Sequence, residues 1–286
     1  MNNKLIKIYT ELTRILPDQA YLKLSYFLNM KKMLNIKNPK TYNEKLQHLK
    51  LVQVGKKFTD WSDKYEARKL VEKKIGKEYL TKLYWVGIEP EKIPFNDLPS
   101  SFVIKCNHGS GYNLIVPEKT KLNKLKTIKT VKSWMKDDFW KRGREYNYKH
   151  MKKKIIIEEY LGKNINDYKF LCFHGKPKFM FIATDRGIDT KFDFFDMKFN
   201  HLPFKQGYEN NTKKLKKPKL FEKMIKISKK LSEGFPHVRV DLYEINNKLY
   251  FGELTFYHFS GWKRFRPDND KIDLEWGNLI KLENEK

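Results

Sequence analysis

The segment Phe235-Pro-His-Val-Arg-Val-Asp-Leu-Tyr243, followed by Leu249-Tyr-Phe-Gly-Glu-Leu-Thr255, constrains this chain more than any other. Both runs are short, apolar and rich in β-branched and aromatic residues, and Glu-Ile-Asn-Asn-Lys separates them. They read as two antiparallel strands of a hairpin. Each strand carries one carboxylate, Asp241 on the first and Glu253 on the second. Neighbouring strands stand about 4.8 Å apart, close enough for facing carboxylates to share a divalent ion. Mg²⁺ held by one or two carboxylates and substrate phosphates is the usual arrangement at a nucleotide site. Arg239 lies two residues before Asp241 on the same strand face, within reach of a phosphate oxygen. The spacing suits equally well an ordinary hairpin that turns its acids to solvent. Both readings stand at this point.

A chain of 286 residues can bury a large core, in one multi-lobed domain or two closely packed ones. With 40% hydrophobic and 15% aromatic residues it is a folded protein, not a disordered basic tail. The net charge is +26, from 60 basic and 34 acidic residues, but only eight of the basic residues are Arg. Arg dominates where bases or phosphates are read by planar, bidentate contacts. A Lys excess instead signals solvation or loose attraction to nucleic acid, anionic lipid or acidic polysaccharide, and charge cannot choose among them. Cys106 and Cys172 each sit in an apolar run without a Cys-x-x-Cys or Cys/His neighbourhood, so they read as buried free thiols in a reducing cytoplasm. No apolar window is long enough for a signal peptide or a membrane span. Leu5, Ile8, Leu12 and Ile15, with Lys4, Lys7 and Arg14, form a basic amphipathic pattern. It can pack inward or rest on the inner face of an anionic membrane.

Along the chain, residues 1–55 read as helical, with a break around Met30–Lys40 and a capping box at Thr41-Tyr-Asn-Glu44. A helix is expected from Ser62-Asp63 through Ile75, and strands at Leu83–Val86 and Phe102–Lys105. Leu122, Leu125, Ile128, Val131 and Trp134 predict a helix over 120–142. Ile155–Tyr160 reads as a strand, and Asp167–Phe173 with Phe179–Ala183 as a hairpin over His174–Pro177. Lys-rich residues 205–220 read as an exposed loop, and Phe221–Leu231 as a helix. Strands joined by hairpins among helices predict an α+β fold with antiparallel sheets.

Lys105 ends a strand and leads into Asn107-His-Gly-Ser-Gly111. Glycines let backbone amides approach phosphates, and a strand-borne Lys adds a fixed positive charge. The spacing is not Walker A, and tight turns after strands often look the same. Ile155-Ile-Ile-Glu-Glu-Tyr-Leu161 can present backbone groups to an adenine edge, or can simply be a buried strand ending in acids.

The motifs Ser-Asp-Lys (62–64), Lys-x-Asn-His-Gly-Ser-Gly (105–111), Asp-Tyr-Lys-Phe (167–170), Arg-Val-Asp-Leu-Tyr (239–243) and Phe-Gly-Glu-Leu-Thr (251–255) occur in this order. The sequence resembles the ATP-grasp superfamily, and within it the TupA-like branch of teichuronopeptide biosynthesis, over roughly residues 40–282. The resemblance implies two α+β lobes enclosing an ATP cleft, with a helical segment at 1–55, a first lobe at 56–162 and a second at 163–286. It implies that Lys64 and Lys105 hold ATP phosphates under a flap made of Gly109, Ser110 and Gly111. Glu158, Tyr160 and Leu161 would line the adenine pocket, and Glu159 would reach the ribose. Lys169 and Arg239 would face the γ-phosphate or an acyl-phosphate, and Asp241 and Glu253 would ligate Mg²⁺. Many ATP-grasp enzymes carry Asn two residues after that Glu, where this chain has Thr255, a poorer ligand. His258 and Lys263 are candidates for acceptor contacts.

The implied reaction is carboxylate–amine ligation through an acyl-phosphate. The implied partners are an amino acid or amine and an acidic, uronate-bearing polysaccharide or its lipid-linked precursor. The rival enzyme reading is a glycosyltransferase, whose metal-dependent form wants Asp-x-Asp after a strand. Asp268-Asn-Asp270 is the single instance, in a Pro-led loop near the C-terminus. A basic nucleic-acid-binding protein is the non-catalytic alternative, but no recognisable DNA- or RNA-binding motif supports it.

Overall fold

The structure is a computed structural model and describes residues 13, 15–163 and 165–282. The amphipathic pattern through Leu5, Ile8 and Leu12 lies outside the described residues, and Ile15 is exposed. From residue 18 on, the described chain begins with the helices α1 (Asp18–Met30), α2 (Tyr42–Val52), α3 (Lys56–Ser62) and α4 (Glu66–Ile75). The capping box forms as the sequence predicts. Thr41 Oγ1 accepts from the Glu44 amide at 3.3 Å, and the Glu44 carboxylate accepts from the Thr41 amide at 3.1 Å.

The helix expected from Ser62 does not start there. One helix ends at Ser62 and the next begins at Glu66. Between them the Asp63 carboxylate accepts from the amides of Tyr65 and Glu66 at 2.8 and 3.3 Å. A side-chain acceptor that captures its own downstream amides favours a turn over helix. Lys64 is therefore held in a turn and not on a helix face.

Two antiparallel sheets follow. The first is built from β1 (Leu83–Gly87), β2 (Phe102–Cys106), β3 (Asn113–Val116) and β4 (Ile155–Glu159), in the order β1-β4-β2-β3. Helix α5 (Lys124–Lys136) packs on it, with Val131 buried against Phe102, Ile104, Ile155 and Ile157. The second sheet contains β5 (Asp167–Phe173), β6 (Lys176–Thr184), β7 (Lys191–Asp196) and β8 (His201–Leu202). Next come β9 (Lys205–Gln206) and helix α6 (Phe221–Ser232), then β10 (His237–Ile245) and β11 (Lys248–Thr255). The order of the second sheet is β11-β10-β5-β6-β7-β8. A short β12 (Phe265–Arg266) pairs with β9, and α7 (Asn269–Asn278) closes the described chain.

Helix α6 shows why the second sheet is half apolar. Met224, Ile227 and Leu231 are buried against it, while Lys223, Lys226, Lys229 and Lys230 face solvent. On β10 the residues Val238, Val240 and Leu242 join this core. Strand alternation then turns Arg239, Asp241 and Tyr243 to the other face. Trp61, Ala67 and Val71 of α3 and α4 belong to the same core, although these helices precede the first sheet. Two-residue turns close both hairpins, His174-Gly175 and Asn246-Asn247, with positive φ at all four positions. Such turns match the right-handed twist of the strands. Both cysteines are buried and free. Among the described residues no helix is long and apolar enough to cross a membrane.

Candidate active site

Three adjacent strands of the second sheet place charged residues in one row. Asp241 on β10 stands opposite Lys169 on β5 and opposite Glu253 on β11. Arg239 stands opposite Thr255, and Asp167 opposite Tyr243. A bulge sets the last part of this register. Pairing shifts between Asp241 and Leu242, so that Glu253 opposes Asp241 while Phe251 opposes Leu242. The extra residue is Gly252, where a Cβ would lie 3.1 Å from the Asp241 carbonyl oxygen and 3.0 Å from the Tyr243 ring.

The Arg239 guanidinium holds Asp241 bidentately, Nε and Nη2 each at 2.7 Å, and its Nη2 also donates to Thr255 Oγ1 at 2.9 Å and Glu253 Oε1 at 3.3 Å. Lys169 Nζ bonds Asp241 Oδ2 and lies 2.7 Å from Asp167 Oδ2, which also pairs with Arg186. Lys64 reaches in from its turn. Its Nζ donates to the Gly109 carbonyl at 2.7 Å and lies 3.8 Å from Glu253 Oε2. Lys64, Lys169, Arg186 and Arg239 thus surround Asp167, Asp241 and Glu253.

These surroundings decide the charge states. Burial disfavours ionised Asp241, but Arg239 and Lys169 beside it prevail and hold its carboxyl below the usual range. Burial likewise opposes a charge on Glu253, and Lys64 and Arg239 hold it low. Asp167 goes the other way, pushed up by burial despite Lys169. Burial first, and then the Arg239 charge, keep His258 neutral. Its Nδ1 accepts from Arg239 Nη1 at 3.0 Å, so Nε2–H donates to Gln206 Oε1 at 3.1 Å.

Between the two sheets, bordered by Tyr243 and Arg186 of this cluster, lies a cavity of about 660 Å³. Val103, Ile115, Ile165, Ile188 and Phe251 give it apolar walls, and Tyr160, Leu161, Tyr243 and Lys105 line it too. An apolar slot ending in a few convergent charged groups is the usual form of a small-molecule site. Lys105 Nζ pairs with the Glu158 carboxylate, which also accepts from Thr81 Oγ1 at 3.1 Å and lies 3.5 Å from Arg68. Burial works against that carboxylate's charge, and Lys105 holds it below its usual range. Glu159 also lines the cavity, and its carboxylate accepts from the Lys82 amide at 3.2 Å.

The structure thus gathers Lys64, Lys169, Arg239, Asp241 and Glu253 into one cluster, and Lys105 with residues 158–161 into the adjoining cavity. It divides the glycine loop. Gly109 meets the cluster through its carbonyl, and a Cβ there would strike Tyr112 and Phe139. Ser110 and Gly111 lie in a separate depression beside Trp134, Asp137 and Arg142. Thr255 bridges Arg239 and Glu253 through its hydroxyl. One expectation is corrected. His258 is no acceptor contact, because it is buried behind Arg239 with both ring nitrogens engaged.

Sequence reading assigned no role to Asp167, Arg186, Tyr243, Arg68 or Gln206. Asp167 and Tyr243 carried a signal, since each sits two residues from a chosen residue on its strand. Arg186 and Gln206 had none, because loop and two-residue strand positions have no period to read.

Among the described residues no group of three or more His, Cys, Asp or Glu side chains is placed to hold a metal alone. Two carboxylates in register nevertheless fit Mg²⁺, which takes few protein ligands and completes its shell with phosphate and water. Glu253 leaves Oε2 facing Lys64 at 3.8 Å, whereas both oxygens of Asp241 are engaged by cations.

Two antiparallel sheets around a cleft, with a Lys/Arg/carboxylate row beside it, fit an ATP-grasp enzyme, a nucleotide-binding ligase class, and the sequence profile makes the assignment. The chain belongs to the TupA-like ATP-grasp family, whose sequence profile matches residues 44–281 and so spans both sheets and the whole cleft. No curated protein sequence matches the chain. Among solved structures it is similar to the D-alanine–D-alanine ligase of Helicobacter pylori, at 18% identity and a TM-score of 0.44, covering 84% of this chain and 69% of that one. The D-alanine–D-alanine ligase of Bacillus anthracis is 16% identical with a TM-score of 0.46, covering 90% and 83%. The ATP-grasp ligase PsnB, complexed with a minimal precursor, is 11% identical with a TM-score of 0.43, covering 78% and 61%.

Proposed function

We propose that this chain is an ATP- and Mg²⁺-dependent carboxylate–amine ligase that joins an amino acid or amine to a uronate-bearing surface polysaccharide or its precursor. One observation carries the reading: the cross-strand row Lys169–Asp241–Glu253, capped by Arg239, lies on the same strands as Tyr243 and Phe251, which line the apolar cavity between the sheets. In that cavity Val103, Ile115 and Phe251 would cover the base and Tyr160–Leu161 the adenine edge.

In the proposed reaction a substrate carboxylate oxygen attacks the γ-phosphorus, and ADP leaves. An amine nitrogen then attacks the acyl carbon, loses a proton, and expels inorganic phosphate. The difficulty is bringing two anions together, which fixed cations relieve by neutralising and aligning the phosphoryl oxygens. Lys64, Lys169 and Arg239 are held to do this. Each already sits on a carboxylate or carbonyl oxygen in the site. Asp241 and Glu253 would hold Mg²⁺, which when bound supplies charge neutralisation on the phosphates. No side-chain nucleophile takes part. Exposed lysines in 205–220 favour an acidic acceptor at the cytoplasmic face of the membrane.

The test is an ADP-release screen pairing amino acids with uronic-acid acceptors. Release should require both substrates, and Asp241→Asn should lower it about 100-fold or more. Neutralising the lysines of 205–220 should raise the KM for the acidic acceptor. Release indifferent to Asp241→Asn would overturn the metal assignment. The glycosyltransferase reading finds no support at its one Asp-x-Asp, where Asp268 caps α7 and Asp270 pairs with Lys32.

A further inference from the structure

Helix α1 is apolar on two sides. Tyr21, Leu22, Tyr26 and Met30 are buried in a small core with Leu34 and Ile36, and Leu51 and Trp262 pack against it. The outer side carries Leu24, Phe27 and Leu28, which are 39%, 48% and 44% exposed. Their spacing of three and four residues puts them on one face. None of the three belongs to an apolar core among the described residues. Met33, 75% exposed, follows the end of the helix. The outward face of a surface helix is ordinarily polar, and adjoining large apolar side chains left in water mark an interaction surface.

The charges around this face are of one sign. Residues 19–43 contain Lys23, Lys31, Lys32, Lys37 and Lys40 and no Asp or Glu. All five lysines are exposed. Lys23 borders the apolar face, and Lys31 ends the helix in the left-handed conformation, one turn beyond Phe27. Lys32 pairs with Asp270 at 2.5 Å. The acid at the start of the helix, Asp18, is already met by Arg144 at 3.1 Å.

Lysines flanking exposed Leu and Phe side chains complement an anionic bilayer. Its headgroups meet the ammonium groups, and its acyl boundary takes up the apolar side chains. Lys stems lie along apolar surface while their charges stay in water, so both contacts form together. A second copy of this chain would set lysines against lysines on a molecule of net charge +26. A soluble polyanion matches the charge but leaves the apolar face in water. We propose that the outer face of α1 is a membrane-docking surface, which lays Leu24, Phe27, Leu28 and Met33 into an anionic lipid surface.

The docking surface goes beyond the ligase reading and is tested without nucleotide, so each can fail alone. The full chain is sedimented at physiological salt with vesicles of equal parts phosphatidylglycerol and phosphatidylcholine, and with vesicles of phosphatidylcholine alone. The mixed vesicles should bind it, and the neutral ones at least about tenfold more weakly. The triple variant Leu24→Gln/Phe27→Gln/Leu28→Gln changes no charge and keeps good helix formers at exposed positions. It should lower affinity for the mixed vesicles about tenfold or more, with Tm, ATP binding and binding to soluble polygalacturonate as in the wild type. No binding to the mixed vesicles, equal binding to both kinds, or binding unmoved by the triple variant would overturn the assignment. So would an equal loss of polygalacturonate binding, binding lost only in Leu5→Gln/Ile8→Gln, or a self-associated chain that the triple variant disperses.

Discussion

Arg239 and Asp241 occupy positions that apolar side chains would fill more stably. Replacing a buried ion pair by well-packed hydrophobes is often neutral or stabilising by about 1–4 kcal/mol, whereas removing one partner costs about 3–5 kcal/mol. A cluster of four cations and three acids against one sheet face is therefore poor value as a stability device, and its use lies in holding charge where charge must be met. His258 and Gln206 serve that end by fixing the Arg239 Nη1 direction from behind. A different buried residue sets a pH response. His237 donates from Nδ1 to the Cys172 carbonyl at 3.0 Å and accepts from the Tyr42 hydroxyl at 3.0 Å. Burial drops its pKa to about 3. Below the unfolded value of about 6.5 the unfolded chain takes a proton that the native chain refuses, so stability falls as pH falls toward 3, by up to about 1.4 kcal/mol per unit. Asp273, raised by burial to about 6, works in the opposite sense. Denaturant midpoints between pH 7 and 5 should decline for the wild type, and His237→Gln should show a shallower decline. An identical slope in the variant would refute the assignment.

At the scale of elements, strand period carried most of the site. Arg239, Asp241 and Tyr243 share a face because they alternate, and Lys169 and Asp167 do the same on β5. The capping box at Thr41 was legible because both its bonds are local. The bulge was not. Nothing in Phe-Gly-Glu-Leu-Thr states that Gly252 is the unpaired residue, since that depends on how β11 meets β10. The bulge makes a prediction of its own. In Gly252→Ala the new Cβ must displace the Asp241 carbonyl or the Tyr243 ring by a few tenths of an ångström. It should destabilise the fold by about 1 kcal/mol and reduce ADP release more than that loss explains, because Glu253 moves with the strand. Unchanged turnover with a lowered Tm would reduce Gly252 to a packing role. Helix α3 and strands β8, β9 and β12 escaped reading because two to seven residues are too few to show a period.

At the scale of the whole molecule, two sheets with separate apolar cores face one another across the cavity. A ligand that bridges them binds only the folded chain and so raises its stability, by about 2.7 kcal/mol at a hundredfold excess over Kd. ATP with Mg²⁺ should therefore raise Tm by several degrees, while a UDP-sugar should not. The reverse pattern would favour a glycosyltransferase. The net charge of +26 gave no such discrimination, because a Lys-rich surface attracts any polyanion.

Local order and alternation were decided by the sequence alone. The order of motifs from Lys64 to Thr255, the two-sided strands and the capped α2 follow from forces acting within a few residues. Tertiary structure decided which charges meet. Lys64 reaches Gly109 and Glu253, Lys105 turns to Glu158, and His258 retreats behind Arg239. Ion pairs between residues tens to hundreds of positions apart depend on how sheets are ordered and packed, and no local pattern encodes that geometry.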